Sequence, residues 1–499
     1  MRLRAGTIAL TVFLATNGGA LSGPQAQHGA AQRDEARARD AQGVVLAQAG
    51  RIAEAVEQFR AALQLDPDFP EAGYHLALAY ERAGRTDEAI AKVEDALRLR
   101  PDFIEARYLL AGCCRKRGDF EGELRLLQDI ARRAPEFAEA HYNYGLGRQR
   151  EQRFAEAIEE LRAAARLDAK NDRYALALGV ALANRSNDEA IRVLRSAVEL
   201  APLNAEPHYN LALALAAAGN ETEAAREFEE ALRFNPSHAA ARRGLGITLL
   251  HEDKLEAAAE QLRRTLQDAP RDEEAANNLG MVQLRLNDVS GAIASLERAI
   301  QLNPRLIKAH FNLAQAYRRA GRSGEARLET ERGAALTAAQ RSLGRAMVLA
   351  QSARQRLQSG DRAGALSALR DAIAASPEFA DAHLQLGRTI LETGSDGSEA
   401  VREFRRVLDL DPERAEAHYL IGLALNKTDE KTAFEELRAA ADMAPCRVEI
   451  MRALGRAALD AQDWSTAVAQ FRRVLAWAPA DKDALAQLDR ALAQQSRHQ

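Results

Sequence analysis

The stretch NETEAAREFEEALRFNP, Asn220 to Pro236, is alanine-rich, studded with charge and closed by a proline. The same closure recurs at Pro202 and Pro270, each 34 residues away. Pro67, Pro101, Pro135 and Pro304 keep that spacing or miss it by one, give or take whole periods. A fixed period of this length means stacked supersecondary units rather than a single globular core.

One unit reads as two helices. In Pro70 to Phe103, EAGYHLALAYERAG places Leu76, Ala77 and Tyr80 on one face and stops at Gly84; glycine after a basic last turn is a helix stop. TDEAIAKVEDALRLRP then puts Ala89, Val93, Ala96 and Leu97 on a second face, and Pro101 forbids continuation. A pair this small cannot cover both stripes, so the next pair must stack on it.

The small residues fix the register. The eighth position holds Gly43, Ala77, Ala111, Gly145, Gly179, Ala212, Gly246, Gly280, Ala314, Ala353, Gly387, Gly422 and Gly455. The twentieth is alanine throughout except at Glu123, where an alanine is expected to be neutral or better. Backbones approach closely only across small side chains. Larger fillers such as Phe59, Phe228, Phe404 and Phe471 stand between them.

This pattern resembles the tetratricopeptide repeat (TPR) family over roughly residues 36 to 481, although the family's tryptophan at position four is often histidine here, as at His141, His208, His310, His383 and His418. The resemblance implies an all-α superhelical solenoid of about 13 helix-turn-helix units with a C-terminal capping helix. The organisation it suggests is a signal peptide over 1–22, a flexible leader over 23–35 and repeats 1–9 over 36–320. An irregular extended helical segment follows over 321–345, then repeats 10–13 over 346–481 and a capping helix and tail over 482–499. The irregular segment is marked by the 73 residues between Pro304 and Pro377, where two units would need 68.

The start of the chain differs in kind. Arg2 and Arg4 precede the apolar run AGTIALTVFLA and the small residues NGGALSG, so a cleaved export signal is expected, with cuts after Ala20 or Ser22. Cleavage after Ser22 removes two arginines and no acid, taking the net charge from -4 to -4 - 2 = -6. Near-balanced charge without long blocks of one sign argues against a nucleic-acid partner. The mature chain carries no run long enough to span a bilayer, so it is expected to be periplasmic or secreted, with a possible place in an envelope complex.

Three cysteines, Cys113, Cys114 and Cys446, do not suggest a disulfide framework, because Cys446 lies nine repeats from the others in an array read as elongated. No phosphate loop, nucleophile elbow, zinc helix or Cys-x-x-Cys occurs, so no catalytic residue, metal ligand or cofactor is expected. The recurring histidines would sit about 10 Å apart, too far to share a metal, and read as packing residues. Acid pairs such as Glu159-Glu160, Glu229-Glu230 and Glu435-Glu436 read as solvated outer faces.

The surface remains. The resemblance implies that first helices line a concave groove, in which position six carries Asn143, Asn210, Asn278 and Asn312. Side-chain amides both donate and accept, so such a ladder could hold an extended peptide backbone. Beside it stand Tyr142, Tyr209 and Phe311, an apolar line of Leu146, Val180, Leu213, Ile247 and Met281, and basic rims that include Arg150, Arg318 and Arg319. The expected function is a non-catalytic scaffold for other proteins or peptides. The alternative is a docking subunit of an exported polysaccharide synthesis or secretion assembly.

Overall fold

The computed structural model describes residues 24–183, 185–393 and 397–498; the expected signal peptide lies outside them. Every regular element among the described residues is an α-helix, 26 in all. They pair in chain order. Units 1 to 3 are Pro24–Gln48 with Ile52–Leu65, Pro70–Arg82 with Thr86–Leu99, and Ile104–Lys116 with Phe120–Arg133. Unit 4 is Ala138–Arg150 with Phe154–Leu167, unit 5 Asp172–Ala183 with Asn187–Leu200, and unit 6 Ala205–Ala217 with Glu221–Phe234. Units 7 and 8 are Ala239–His251 with Leu255–Asp268 and Glu273–Arg285 with Val289–Leu302.

Unit 9 opens with Ile307–Arg319. Its second helix is continuous with the first helix of unit 10, as one 36-residue rod, Ser323–Gln358, followed by Arg362–Ala375. Units 11 to 13 are Ala380–Glu392 with Gly397–Leu410, Ala415–Leu425 with Glu430–Met443, and Val448–Asp460 with Trp464–Trp477; Lys482–His498 caps the end. The segment expected as a flexible leader is helical from Pro24. The helices fall into two compact bodies, one ending at Pro101 and the other beginning at Asp102.

Each unit packs as the small residues require. A Cβ built on Gly179 would meet Leu194 Cγ at 2.5 Å, and one on Gly387 would meet the Phe404 ring at 2.5 Å. The eighth position is therefore the seat of the large residue on the unit's second helix. Ala55, Ala89, Ala157 and Ala224 at position twenty are fully buried. Among the described residues, ten of the turns between paired helices use a left-handed residue. Gly50, Gly84, Gly118, Gly219, Gly321 and Gly360 supply it, while Gln152, Asp253, Asn287 and Gln462 adopt positive φ without being glycine.

The recurring histidines do more than pack. His141, His208, His310 and His383 each face a carboxylate of their own second helix through Nδ1, at 2.6–2.7 Å, namely Glu160, Glu227, Glu329 and Glu403. Through Nε2 each also faces the carbonyl of the proline that closed the preceding unit, Pro135, Pro202, Pro304 and Pro377. One ring thus joins both helices and the turn before them. Glu160 and Glu436 are consequently not free outer-face acids, since His141 and His418 hold them.

Candidate functional site

Two places within residues 102–499 depart from regular stacking, and one of them overturns an expectation. Cys114 and Cys446 form a disulfide across 332 residues, with Cα atoms 5.9 Å apart. The expectation of no pairing treated the array as a line. A solenoid instead rotates slightly at every unit, and nine units of rotation bring the turn before unit 13 back against unit 3. Cys113, beside Cys114, is buried and outside the bond.

The bond sits in a built seam. Asp119 caps the second helix of unit 3 by accepting from Gly122 N–H at 2.9 Å, and its other oxygen accepts from Cys446 N–H at 3.1 Å. Arg447 pairs with Asp119 at 3.5 Å and with Glu121 at 2.7 Å. Arg125 bridges Glu121 and Glu449, while Arg117 donates to the Asp442 carbonyl at 3.1 Å. Burial pushes the Asp119 carboxyl above the usual carboxylate range despite these hydrogen bonds and Arg447. Glu449 is half-buried, and although that desolvation works to raise it, the Arg125 hydrogen bond and charge hold it below that range. Gly122 explains the close approach: a Cβ there would stand 2.7 Å from that of Cys446. A glycine inside the helix DFEGELRLL was the available sequence signal, because it weakens a helix that has no need of it.

The first-helix face carries the residues singled out from the sequence. Asn143 Nδ2 donates to Tyr108 Oη at 2.7 Å and to the Glu139 carbonyl at 2.9 Å. Asn210 donates to the Glu206 carbonyl and Asn312 to Asn277 Oδ1, both at 2.9 Å; Asn278 is half-buried. Asn143, Asn210 and Asn312 are thus first of all bonded within the protein, with Asn210 and Asn312 each keeping a second N–H. Tyr142 packs on Tyr174 with centroids 5.0 Å apart, under the Arg173 guanidinium, and Tyr209 packs on His238 at 4.6 Å. Burial raises Tyr209 above its ordinary range and lifts Tyr108 to about 12. Phe311 covers the backbone of Gly333, and 39% of its surface stays exposed.

The rim arginines divide by role. Arg319 and Arg285 reach back to the Leu284 and Leu250 carbonyls, closing the C-termini of preceding first helices. Arg318 is exposed. Arg115 and Arg150 converge on Glu123 at 3.3 and 2.8 Å, and Glu123 is 1% exposed. The one departure from alanine at position twenty is therefore a built ion triad. With Asn143, Leu146 and Gln149 it lines a cavity of about 470 Å³. A second cavity of about 720 Å³, lined by Tyr144, Glu159, Glu160, Arg162 and Arg185 among others, lies toward the second helices.

Among the described residues no three metal-ligating side chains gather, and no helix is long and apolar enough to cross a membrane. Signatures of the tetratricopeptide repeat match residues 26–70, 41–102, 74–136, 147–205, 179–237, 209–273, 243–307, 277–342 and 356–422. The chain belongs to the tetratricopeptide repeat family. No curated protein compared with this TPR chain matches it. Among solved structures it is similar to the APC/C hetero-tetramer Cut9-Hcn1, at 17% identity over 94% of this chain and 97% of that one, with a TM-score of 0.35. MamA from Desulfovibrio magneticus RS-1 shares 25% identity over 33% of this chain and 95% of its own, at 0.30. PilF of Pseudomonas aeruginosa shares 23% over 41% and 92%, at 0.32. The likeness is of the helical repeat, and no partner carries over from it.

Proposed function

We propose that this TPR protein is a non-catalytic scaffold that holds an extended segment of a partner protein along the first helices of units 4 to 9. The observation that carries this reading is the half-exposed apolar line Leu146, Val180, Leu213, Ile247 and Met281. Leu213 leaves 42% of its surface open beside the spare donor of Asn210. Apolar anchors flanked by backbone-satisfying amides suit a peptide read loosely rather than by sequence. The basic residues at the ends of the line, Arg115 and Arg150 on one side and Arg318 on the other, favour acidic flanks.

The disulfide supports export, because such bonds persist in oxidising compartments. A periplasmic or secreted location also fits the basic and apolar start of the chain.

The test is titration of fluorescent peptides with an apolar centre and acidic ends against the oxidised protein. Losing one hydrogen bond costs about 0.5–1.5 kcal/mol, so Asn210→Ala and Asn312→Ala should each weaken binding up to roughly tenfold. Leu213→Asp should abolish it. Unchanged affinity in all three variants, with helicity preserved, would remove the groove assignment.

A further inference from the structure

The second departure from regular stacking is the 36-residue helix Ser323–Gln358. At the other junctions within residues 102–499 the second helix of one unit packs against the first helix of the next. Here those two helices are one rod, and a rod cannot fold back on itself. The core of unit 9 ends at Ala326 and the next begins at Ala346. Along this helix the buried residues are Ala326, Glu329 and Gly333, then Ala346, Ala350 and Ala353, so three turns pass without one.

The side chains left open there include apolar and basic ones and no acid. Leu343, Met347 and Val348 are 41%, 52% and 67% exposed. Leu336, Ala339, Leu343 and Met347 recur at helical spacing, one stripe beside the buried face. From residue 332 to residue 360 there are five arginines and no acid. Arg332 is held by Glu329, Arg356 by Asp361 and Arg354 by Gln385, whereas Arg341 and Arg345 are exposed.

We propose that this helix is a second docking site, separate from the groove, for an amphipathic helix of a partner protein whose apolar stripe is rimmed by aspartate or glutamate. Such a helix takes the place of the neighbour that fusion removed. It covers Leu343 and Met347 while its acids meet Arg341 and Arg345. A second copy of this chain fits poorly, because pairing two of these helices would set arginine against arginine.

Two synthetic amphipathic helices of about 18 residues test this, identical in their leucine stripe and differing only in glutamate or lysine rims. Binding to the oxidised full chain is read by fluorescence anisotropy. The glutamate peptide should bind at least about tenfold tighter than the lysine peptide, with an advantage that shrinks as salt rises. Leu343→Asp with Met347→Asp should abolish binding, and Arg341→Glu with Arg345→Glu should reverse the preference. All four positions are exposed, so the fold should persist, as checked by circular dichroism and an intact Cys114–Cys446 bond. Asn210→Ala should leave this binding unchanged, which separates it from the groove. Equal binding of both peptides, binding of neither, or insensitivity to the four substitutions overturns the proposal. So does self-association in sedimentation equilibrium, or cosedimentation with phosphatidylglycerol vesicles, if the same substitutions abolish it.

Discussion

Units 3 and 13 stand far apart in the chain and are tied by a disulfide at the turn that opens unit 13 and by a network of arginines and carboxylates. Units 9 and 10 are consecutive and are linked through a single rod whose middle contains no buried residue. Nearness along the sequence and nearness in space are thus uncoupled in the same solenoid. In a repeat array each unit contacts its neighbours, and stability is a sum of such interfaces. The seam adds an interface the sum does not contain, and the fused helix deletes one that it does. One region stiffens the array, and the other offers apolar surface.

The largest expected effect comes from opening the seam. Closing a loop of 332 residues is worth on the order of 5 kcal/mol in the chain-entropy view. Cys446→Ser, or reduction, should lower the urea midpoint and enlarge the scattering radius of gyration of the folded protein. An unchanged radius would mean that stacking alone holds the two ends together. Gly122→Val attacks the same place without touching sulfur, and overpacking against Cys446 should cost about 1–3 kcal/mol and slow formation of the bond, read by thiol titration during refolding. An ordinary interface gives the reference: Ala224→Leu should also cost about 1–3 kcal/mol, but with no change in thiol reactivity.

Acid titration sharpens the contrast further. Burial raises Asp119 in the folded state, so the native protein binds this proton more tightly than the unfolded chain does. Its contribution to stability is therefore fully present below the ordinary aspartate value, about 4, and is lost as pH rises through the higher folded value. Asp119→Asn should flatten that part of the pH dependence, measured by urea unfolding across mildly acidic pH. It should also cost about 1–3 kcal/mol at neutral pH, because one of its oxygens now receives the Cys446 N–H. A slope that survives the substitution would place the titrating group elsewhere.

The smallest effect belongs to the fused helix. A Cβ on Gly344 meets nothing within 4 Å, so Gly344→Ala should stabilise the exposed rod by about 0.5–1 kcal/mol, seen as a small rise in the thermal midpoint. A loss instead would show that the rod is packed in solution. Within the stacked units Glu123→Ala, expected from the repeat pattern to be neutral or better, should now be destabilising, because it strips Arg115 and Arg150 of their shared partner.

Much of this was written in local spacing. The proline period, the small residues at positions eight and twenty and the glycine turns each act within a few residues of themselves, so the two helices of a unit and their contact could be read directly. The 73-residue interval between Pro304 and Pro377 likewise announced the interruption, since no proline ends the helix there. The histidine pairings were half legible: their recurrence was visible, but the carboxylates that hold them lie 18 to 20 residues on, and two of these, Glu160 and Glu436, read as outer-face acids. The asparagine ladder was legible as a pattern and not as a set of bonds, because Asn143 and Asn312 are met by Tyr108 and Asn277 from the preceding unit.

What the sequence determined by itself, then, is the unit, its number and its faults, because those depend on interactions of short range. What only the tertiary structure decided is the meeting of Cys114 with Cys446, of Asp119 with Arg447 and of Arg125 with Glu449. Those pairs depend on a small rotation per unit summed over nine units. A change of a few degrees at each interface, invisible in any one repeat, would carry Cys446 past its partner.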